Sequence, residues 1–251
     1  MINPLDFTGK QILIAGAAAG IGKETAILLS RLGARVLLID INEDGLKEAA
    51  SCLEGSGHHL FCFDLSELNE IEPKVKEIVL SHGPIDGFVH CLGVRCRRPL
   101  SMITPKVLNE ILSLNFGSFI ELVRCITKKN HFNQGLSIVG ISSVSSQKGG
   151  MSVTAYAASK AAMDSAVRCL AKELASKKIR LNTVVPAQIN TPAYTSFLKM
   201  NAGIEDETLS RQYLGMGEPI DVANVIAFLL STSSKFITGS SIPVDGGFLS
   251  S

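Results

Sequence analysis

The sequence contains no tryptophan and three tyrosines, and aromatic residues make up 6% of its 251 positions. A core built from this chain is therefore mainly aliphatic, and each tyrosine is a rare phenol whose place carries information. An excess of charge is missing too. The formal net charge is +1, so no long-range field calls for nucleic acid or an anionic membrane surface. No apolar run reaches the ~20 residues of a membrane-spanning helix, because polar or charged residues interrupt each one. The first six residues lack the basic start and long apolar stretch of a secretion signal, and a soluble, cytoplasmic protein is expected. Cys52, Cys62, Cys91, Cys96, Cys125 and Cys169 include no pair with the two-residue gap of a zinc knuckle or redox motif. Reduced and mostly buried thiols are expected. The histidines are scattered, and His58-His59 has no nearby partner pattern, so no metal site is expected.

What is present is an alternation of apolar strand-like runs with segments of helical period. With 46% hydrophobic residues, the chain is suited to one large α/β domain. Strands are expected at 11–15, 35–40, 58–63, 85–91, 136–141, 179–185 and 241–244. Helices are expected at 20–32, 43–53, 67–81, 105–129, 154–176 and 220–230. The strands read as near-continuous apolar runs, as strands buried on both faces do. This predicts a single-domain α/β Rossmann fold spanning 1–251: a doubly wound parallel sheet of about seven strands with helices on both faces. The segment 188–216 lacks a clear period and is expected to be a loop acting as a substrate lid.

Gly16, Gly20 and Gly22 follow the first strand and open the first helix, in the spacing G-x-x-x-G-x-G. Glycines admit a pyrophosphate close to the backbone, and the helix N-terminus supplies N–H donors and partial positive charge. Simple turn chemistry explains such a stretch equally well. Asp40 ends the second strand, where a carboxylate can accept both ribose hydroxyls of an adenosine. It would repel a 2′-phosphate, and neither Ile41 nor Asn42 offers compensating charge, so NAD is favoured over NADP. Asp64 and the adjacent Leu65 can meet the adenine edge; Asp64 and Ser66 are also good N-cap residues for the next helix.

Tyr156 and Lys160 stand four residues apart on an expected helix and share a face. An unperturbed phenol, with a pKa of about 10, is a poor base at neutral pH. A nearby ammonium favours the phenolate, so Tyr156 can exchange a proton with an alcohol or ketone as hydride moves. Ser143 ends a strand thirteen residues before Tyr156, placing a hydroxyl for the substrate oxygen.

With Gly16, Gly20, Ile21, Gly22, Asn115, Ser143, Tyr156, Lys160, Pro186, Thr191 and Asp245-Gly246-Gly247, the chain resembles the short-chain dehydrogenase/reductase family over essentially its full length. The resemblance implies a catalytic tetrad of Asn115, Ser143, Tyr156 and Lys160. It implies that Lys160 also binds the nicotinamide ribose, that Asn115 holds a water in a proton relay through Lys160, and that Thr191 and the backbone near Ile189 position the carboxamide. Gly93 and Pro186 join the implied cofactor contacts. Three departures stand out. Ala15 replaces a usual Thr or Ser, His90-Cys91-Leu92 replaces Asn-Asn-Ala before Gly93, and Ala187 replaces the glycine after Pro186.

Substrate choice is expected to lie in 188–216, with Tyr194, Phe197, Met200 and Tyr213, and in 145–153. Arg95, Arg97 and Arg98 follow the fourth strand; they can receive a phosphate or carboxylate, or form a solvated basic loop. The segments 105–129 and 154–176 carry more apolar residues than one sheet face needs, and by resemblance they pair subunits into a homodimer or homotetramer. Three functions remain open: an NAD-dependent secondary alcohol–ketone oxidoreductase, a reductase of carrier-bound 3-oxoacyl thioesters, and a non-catalytic nucleotide-binding regulator or scaffold.

Overall fold

In the computed structural model, which describes residues 3–200 and 207–251, seven parallel strands lie in the order β3-β2-β1-β4-β5-β6-β7. They are β1 (Gln11–Ala15), β2 (Arg35–Asp40), β3 (His59–Cys62), β4 (Ile85–His90), β5 (Phe132–Ile141), β6 (Arg180–Pro186) and β7 (Ser241–Val244). Side chains along a strand alternate between faces, and the core divides accordingly. Leu13, Leu37, Phe88 and Ile138 face one layer, where they meet Ile71 and Val75 of α3 (Leu68–His82) and Met163 and Val167 of α6 (Thr154–Leu174). Ile12, Ile14, Val36, Leu38 and Val89 face the other, against α1 (Gly20–Arg31), α2 (Glu43–Ser51) and α9 (Pro219–Leu230). Strand order reverses between β1 and β4, which opens a crevice at the carboxyl ends of the strands, where ligands of such sheets bind.

Four expectations change. The helix expected over 105–129 is broken into α4 (Pro105–Leu112), a π-helical turn at Ser113–Gly117, and α5 (Ser118–Ile126). Its cause is side-chain chemistry around Asn115, described below. Strand β5 begins four residues earlier than expected, at Phe132, because the pairing Ile85↔Phe132 is followed by a register shift to Gly87↔Ser137. The segment expected to be a loop holds α7 (Pro192–Met200) and the short α8 (Glu207–Ser210). Thr191 accepts the Tyr194 N–H on its hydroxyl, and Pro192 occupies the first helical position, as a capped helix start prefers. The cysteines are all free, but only Cys125 is fully buried; Cys52, Cys62 and Cys169 are exposed. Cys62 lies on the edge strand β3, whose side chains alternate between half-buried and exposed.

No described helix is long and apolar enough to cross a membrane. His58 is held structurally, accepting the Val36 N–H on Nδ1 and meeting the Glu54 carbonyl with Nε2.

Candidate active site

The glycine turn is shaped by contacts that leave no room for side chains. Gly16 has φ +80°, and its N–H and that of Ala17 donate to the Ile39 carbonyl at 2.8 and 3.2 Å. A Cβ on Gly22 would sit 2.0 Å from the Gly16 carbonyl oxygen, so turn and helix can pack this closely only with glycine there. The first turn of α1 contains no acidic residue, and Ala19 at its N-cap supplies no side-chain cap. The helix end is thus equipped for an external anion. Asp40 accepts the Ala18 N–H on one carboxylate oxygen and the Asn42 N–H on the other, each at 3.0 Å. It is fixed beside the turn, and each oxygen keeps further lone pairs for a hydroxyl. These residues fit a dinucleotide.

Asp64 accepts the Ser66 N–H at 2.8 Å in a local turn. Neither Asp64 nor Ser66 is the N-cap of α3; that position is Glu67, which makes no side-chain cap. Leu65 is buried. Gly16, Asp40, Asp64, Leu65 and Asn115 stand outside the lining of the central cleft, which holds the other expected site residues.

That cleft has a volume of about 210 Å³. Gly20, Ile21, Gly22 and Gly93 line one part of it, Ser143, Tyr156 and Lys160 another, and Pro186, Ile189 and Thr191 a third. Thr191 closes over the glycine turn: its Cγ2 would lie 3.3 Å from a Cβ on Gly20. Ile189 pairs with Gly217 in an isolated parallel bridge.

Lys160, 3% exposed, donates from Nζ to the carbonyls of Ile141 and Leu92 at 2.7 and 3.2 Å. Burial pushes its ammonium down to about 8. A Cβ on Gly93 would stand 2.9 Å from that nitrogen, so glycine admits the lysine head here. Burial also holds the Tyr156 phenol above its ordinary range, outweighing the lowering influence of Ser143 and of the Arg95 charge. The Lys160 ammonium is directed to the Ile141 and Leu92 carbonyls. The Ser143 loop is anchored to α6 through Asp164, whose carboxylate lies 2.6 Å from the Ser146 hydroxyl and accepts from Thr183 at 2.7 Å.

Asn115 is fully buried at the centre of the π turn. Its Oδ1 accepts the Val94 N–H at 2.8 Å, and its Nδ2 donates to the Val94 carbonyl and the Ser159 hydroxyl at 3.2 and 3.0 Å. The side chain thus clamps the loop after β4 to α6. A widened turn presents its side chain and carbonyls differently from a regular helix, which is why such turns recur at functional sites.

His90 explains one departure from the family pattern. Cys91 N–H still bonds the Ala15 carbonyl at 2.8 Å, so the backbone contact between β1 and β4 survives without the usual hydroxyl and amide. The imidazole turns instead to the π turn. Ser118 donates to the Leu114 carbonyl at 2.5 Å and faces His90 Nε2 at 2.8 Å. His90 therefore donates from Nε2, while its Nδ1 has no hydrogen-bond partner among the described residues. Burial, chiefly, holds the ring neutral, at about 3. Cys91 is also kept as a thiol, pushed up to about 12 by burial.

Sequence reasoning left the three arginines after β4 open; Arg95 lines the cleft, and Arg97 and Arg98 do not. It missed Gln188, 4% exposed, whose Oε1 accepts from Arg95 Nη1 at 2.9 Å. The only signal was position, two residues after Gly93 for Arg95 and two after Pro186 for Gln188. Tyr194 joins the lining, buried. Tyr213 does not; its ring covers Gly247, where a Cβ would come within 2.4 Å. The side chains of Phe197 and Met200 lie outside the described residues.

The profile of a family described as enoyl-(acyl carrier protein) reductase matches residues 16–249. A 3-oxoacyl-acyl-carrier-protein reductase of Thermotoga maritima is 33% identical over 244 residues, covering 96% of this chain and 98% of its own. The crystal structure of a short-chain dehydrogenase/reductase, named for glucose/ribitol dehydrogenase, from Brucella melitensis superposes with a TM-score of 0.88 at 31% identity, covering 97% of this chain and 98% of its own. The chain belongs to the short-chain dehydrogenase/reductase family. Its parallel sheet is that of the family, whose named relatives are dehydrogenases and reductases. Another solved relative, from Beutenbergia cavernae, contains NADP at low occupancy; it is 27% identical, with a TM-score of 0.89 over 99% of this chain and all of its own.

Proposed function

We propose that the protein is an NAD-dependent oxidoreductase interconverting a secondary alcohol and a ketone, with Tyr156 as the general acid/base. The observation that carries this reading is one cleft whose lining brings Ser143, Tyr156 and the buried Lys160 together beside the glycine turn. Tyr156 takes the hydroxyl proton in oxidation and returns it in reduction. Ser143 hydrogen-bonds the substrate oxygen and keeps it in reach of the phenol. Lys160 offers its remaining donor capacity to the nicotinamide ribose, and Asn115 supports the proton path by fixing the loop that carries Leu92 and Gly93.

Gly16, Gly20, Ile21 and Gly22 would hold the pyrophosphate at the start of α1. Asp40 would accept the ribose hydroxyls, Asp64 and Leu65 would border the adenine, and Gly93, Pro186, Ile189 and Thr191 would border the nicotinamide. When bound, the nicotinamide supplies the hydride acceptor or donor. The fixed carboxylate of Asp40 beside Ala18 supports NAD, since a 2′-phosphate would meet its charge.

A reductase of carrier-bound 3-oxoacyl thioesters is the second reading, favoured by the similarity to the Thermotoga maritima enzyme. Lys128-Lys129 and Lys177-Lys178 could dock an acidic carrier, but Lys128 is engaged with Glu72 and Lys177 with the Thr127 carbonyl. A regulator without catalysis has no need of the Ser143, Tyr156 and Lys160 set. Fluorescence titration with NADH and NADPH, followed by a panel of secondary alcohols, ketones and 3-oxoacyl thioesters, tests the proposal. Tighter binding of NADH and turnover of free ketones are expected; tighter NADPH binding would remove the Asp40 argument, and turnover confined to thioesters would favour the second reading.

A further inference from the structure

We propose that Asp164 is a positioning residue for this reaction: its carboxylate is the fixed counter-charge that keeps Lys160 an ammonium, and the same group ties Lys160 to the Ser143 loop. This rests on the oxidoreductase reading above and adds a residue outside the cleft to its site.

Tyr156, Lys160 and Asp164 follow one another at four-residue steps along α6 and share a face of it. The first two line the cleft; Asp164, 5% exposed, does not. Hydroxyls from two other segments meet its two oxygens. Thr183 of β6 donates to one at 2.7 Å and lies 2.8 Å from the Ser241 hydroxyl of β7. Ser146, in the turn after Ser143, lies 2.6 Å from the other and 2.7 Å from the Ser143 carbonyl. One carboxylate thus joins the helix that carries Tyr156 and Lys160 to the loop that carries Ser143.

A buried carboxylate is costly, and Asp164 makes no ion pair among the described residues. A side-chain amide in its place would meet the same two hydroxyls, so hydrogen bonding alone gives no reason for the charge. Lys160 gives one. Burial pushes its ammonium down to about 8, and the Asp164 charge acts to keep the proton on. The other titratable groups around Lys160 carry no negative charge at neutral pH. Cys91, at the end of β4, would favour the ammonium only as a thiolate, and burial pushes that thiol up to about 12. His90 beside it is neutral, held at about 3 chiefly by burial. Burial also raises the Tyr156 phenol, and Arg95, on the same cleft lining, is itself a cation.

The test is the titration of Lys160 itself. Lysines labelled with 13C at Cε are followed by NMR against pH, and the Lys160 signal is assigned from its loss in Lys160→Met. In Asp164→Asn the midpoint should fall by about one pH unit, as when one nearby opposite charge is removed. In Ser146→Ala, which loses the loop anchor and keeps the charge, it should stay within about 0.3 unit of wild type. An ammonium that titrates near 7 in place of about 8 is mostly lost at pH 8 and mostly kept at pH 6. The kcat/KM of Asp164→Asn for a ketone should therefore fall about fivefold at pH 8 and change little at pH 6, and Asp164→Glu should recover part of the loss. If Asp164→Asn does not fold, Asp164→Ser takes its place in both measurements. An unchanged midpoint in the neutral variant, or a loss of kcat/KM equal at both pH values, would leave Asp164 a structural anchor and overturn the proposal. The titration needs no turnover, so the two readings fail separately. A wild type that turns over no alcohol or carbonyl compound would remove the oxidoreductase reading, and with it the reaction that Asp164 serves, whatever the midpoint.

Discussion

At the scale of single residues, His90 is the most informative departure from the family pattern. Its sequence neighbours mark the end of a strand and nothing more. The structure shows an imidazole buried between Phe88 and Phe119, bonded to Ser118, and kept neutral. An unfolded histidine titrates near 6.5, and His90 is held at about 3 in the fold. Between these values the unfolded chain takes up a proton that the folded chain refuses. His90 therefore leaves stability intact above pH 6.5 and erodes it as pH falls toward 3. At pH 5 the loss from this group is about 2 kcal/mol. Urea unfolding of wild type and His90→Asn at pH 7.5 and pH 5 should show the variant gaining about that much relative to wild type on acidification. A constant difference would mean that His90 titrates normally in the fold.

Among the other residues, Tyr156, Lys160, Ser143 and the glycines were legible because their chemistry depends on local spacing. Tyr156 and Lys160 share a face of α6, and Gly16, Gly20 and Gly22 form one turn. Arg95 and Gln188 were not legible as a pair, since they are 93 residues apart and meet only because β4 and β6 end at the same edge of the sheet.

At the scale of elements, the π turn at Ser113–Gly117 shows why a helical pattern can be right in kind and wrong in detail. Residues 105–129 have a helical period, so the sequence predicts one helix. The interruption comes from long-range bonds that no periodicity reveals: Asn115 to Val94 and Ser159, and Ser118 to His90. Asn115→Ala should leave part of the Val94 peptide and the Ser159 hydroxyl without partners, costing about 1–3 kcal/mol in unfolding free energy. Because the same clamp holds the loop bearing Gly93, kcat should fall about tenfold or more as the lysine environment loosens. Denaturant unfolding and steady-state kinetics on one preparation check both; unchanged kcat with reduced stability would confine Asn115 to a structural role. The start of α7 was missed for a different reason. Thr191-Pro192 is a helix-start signal in plain view, but the residues after it lack a clear apolar face.

At the scale of the molecule, the sheet was legible because strands buried on both faces read as apolar runs, and because helices between them impose parallel order. Subunit assembly is harder to read. The segments expected to pair subunits, α4 to α5 and α6, bear no exposed large hydrophobic side chain among the described residues; those side chains lie elsewhere, as at Leu100, Met102, Met151, Leu214 and Phe236. The expectation of a homotetramer therefore rests on the family, and it stands as a proposal. Light scattering should give a mass near four times 26.8 kDa; a mass of one chain would sink it.

The central claim, that Tyr156 moves the proton in a nicotinamide-dependent alcohol–ketone reaction, is tested most directly by Tyr156→Phe. Turnover and NADH binding should be measured on the same protein. The account predicts loss of turnover by about 100-fold or more, as expected when a general acid/base is removed, with NADH affinity kept within about threefold. Turnover close to wild type in the variant would contradict it.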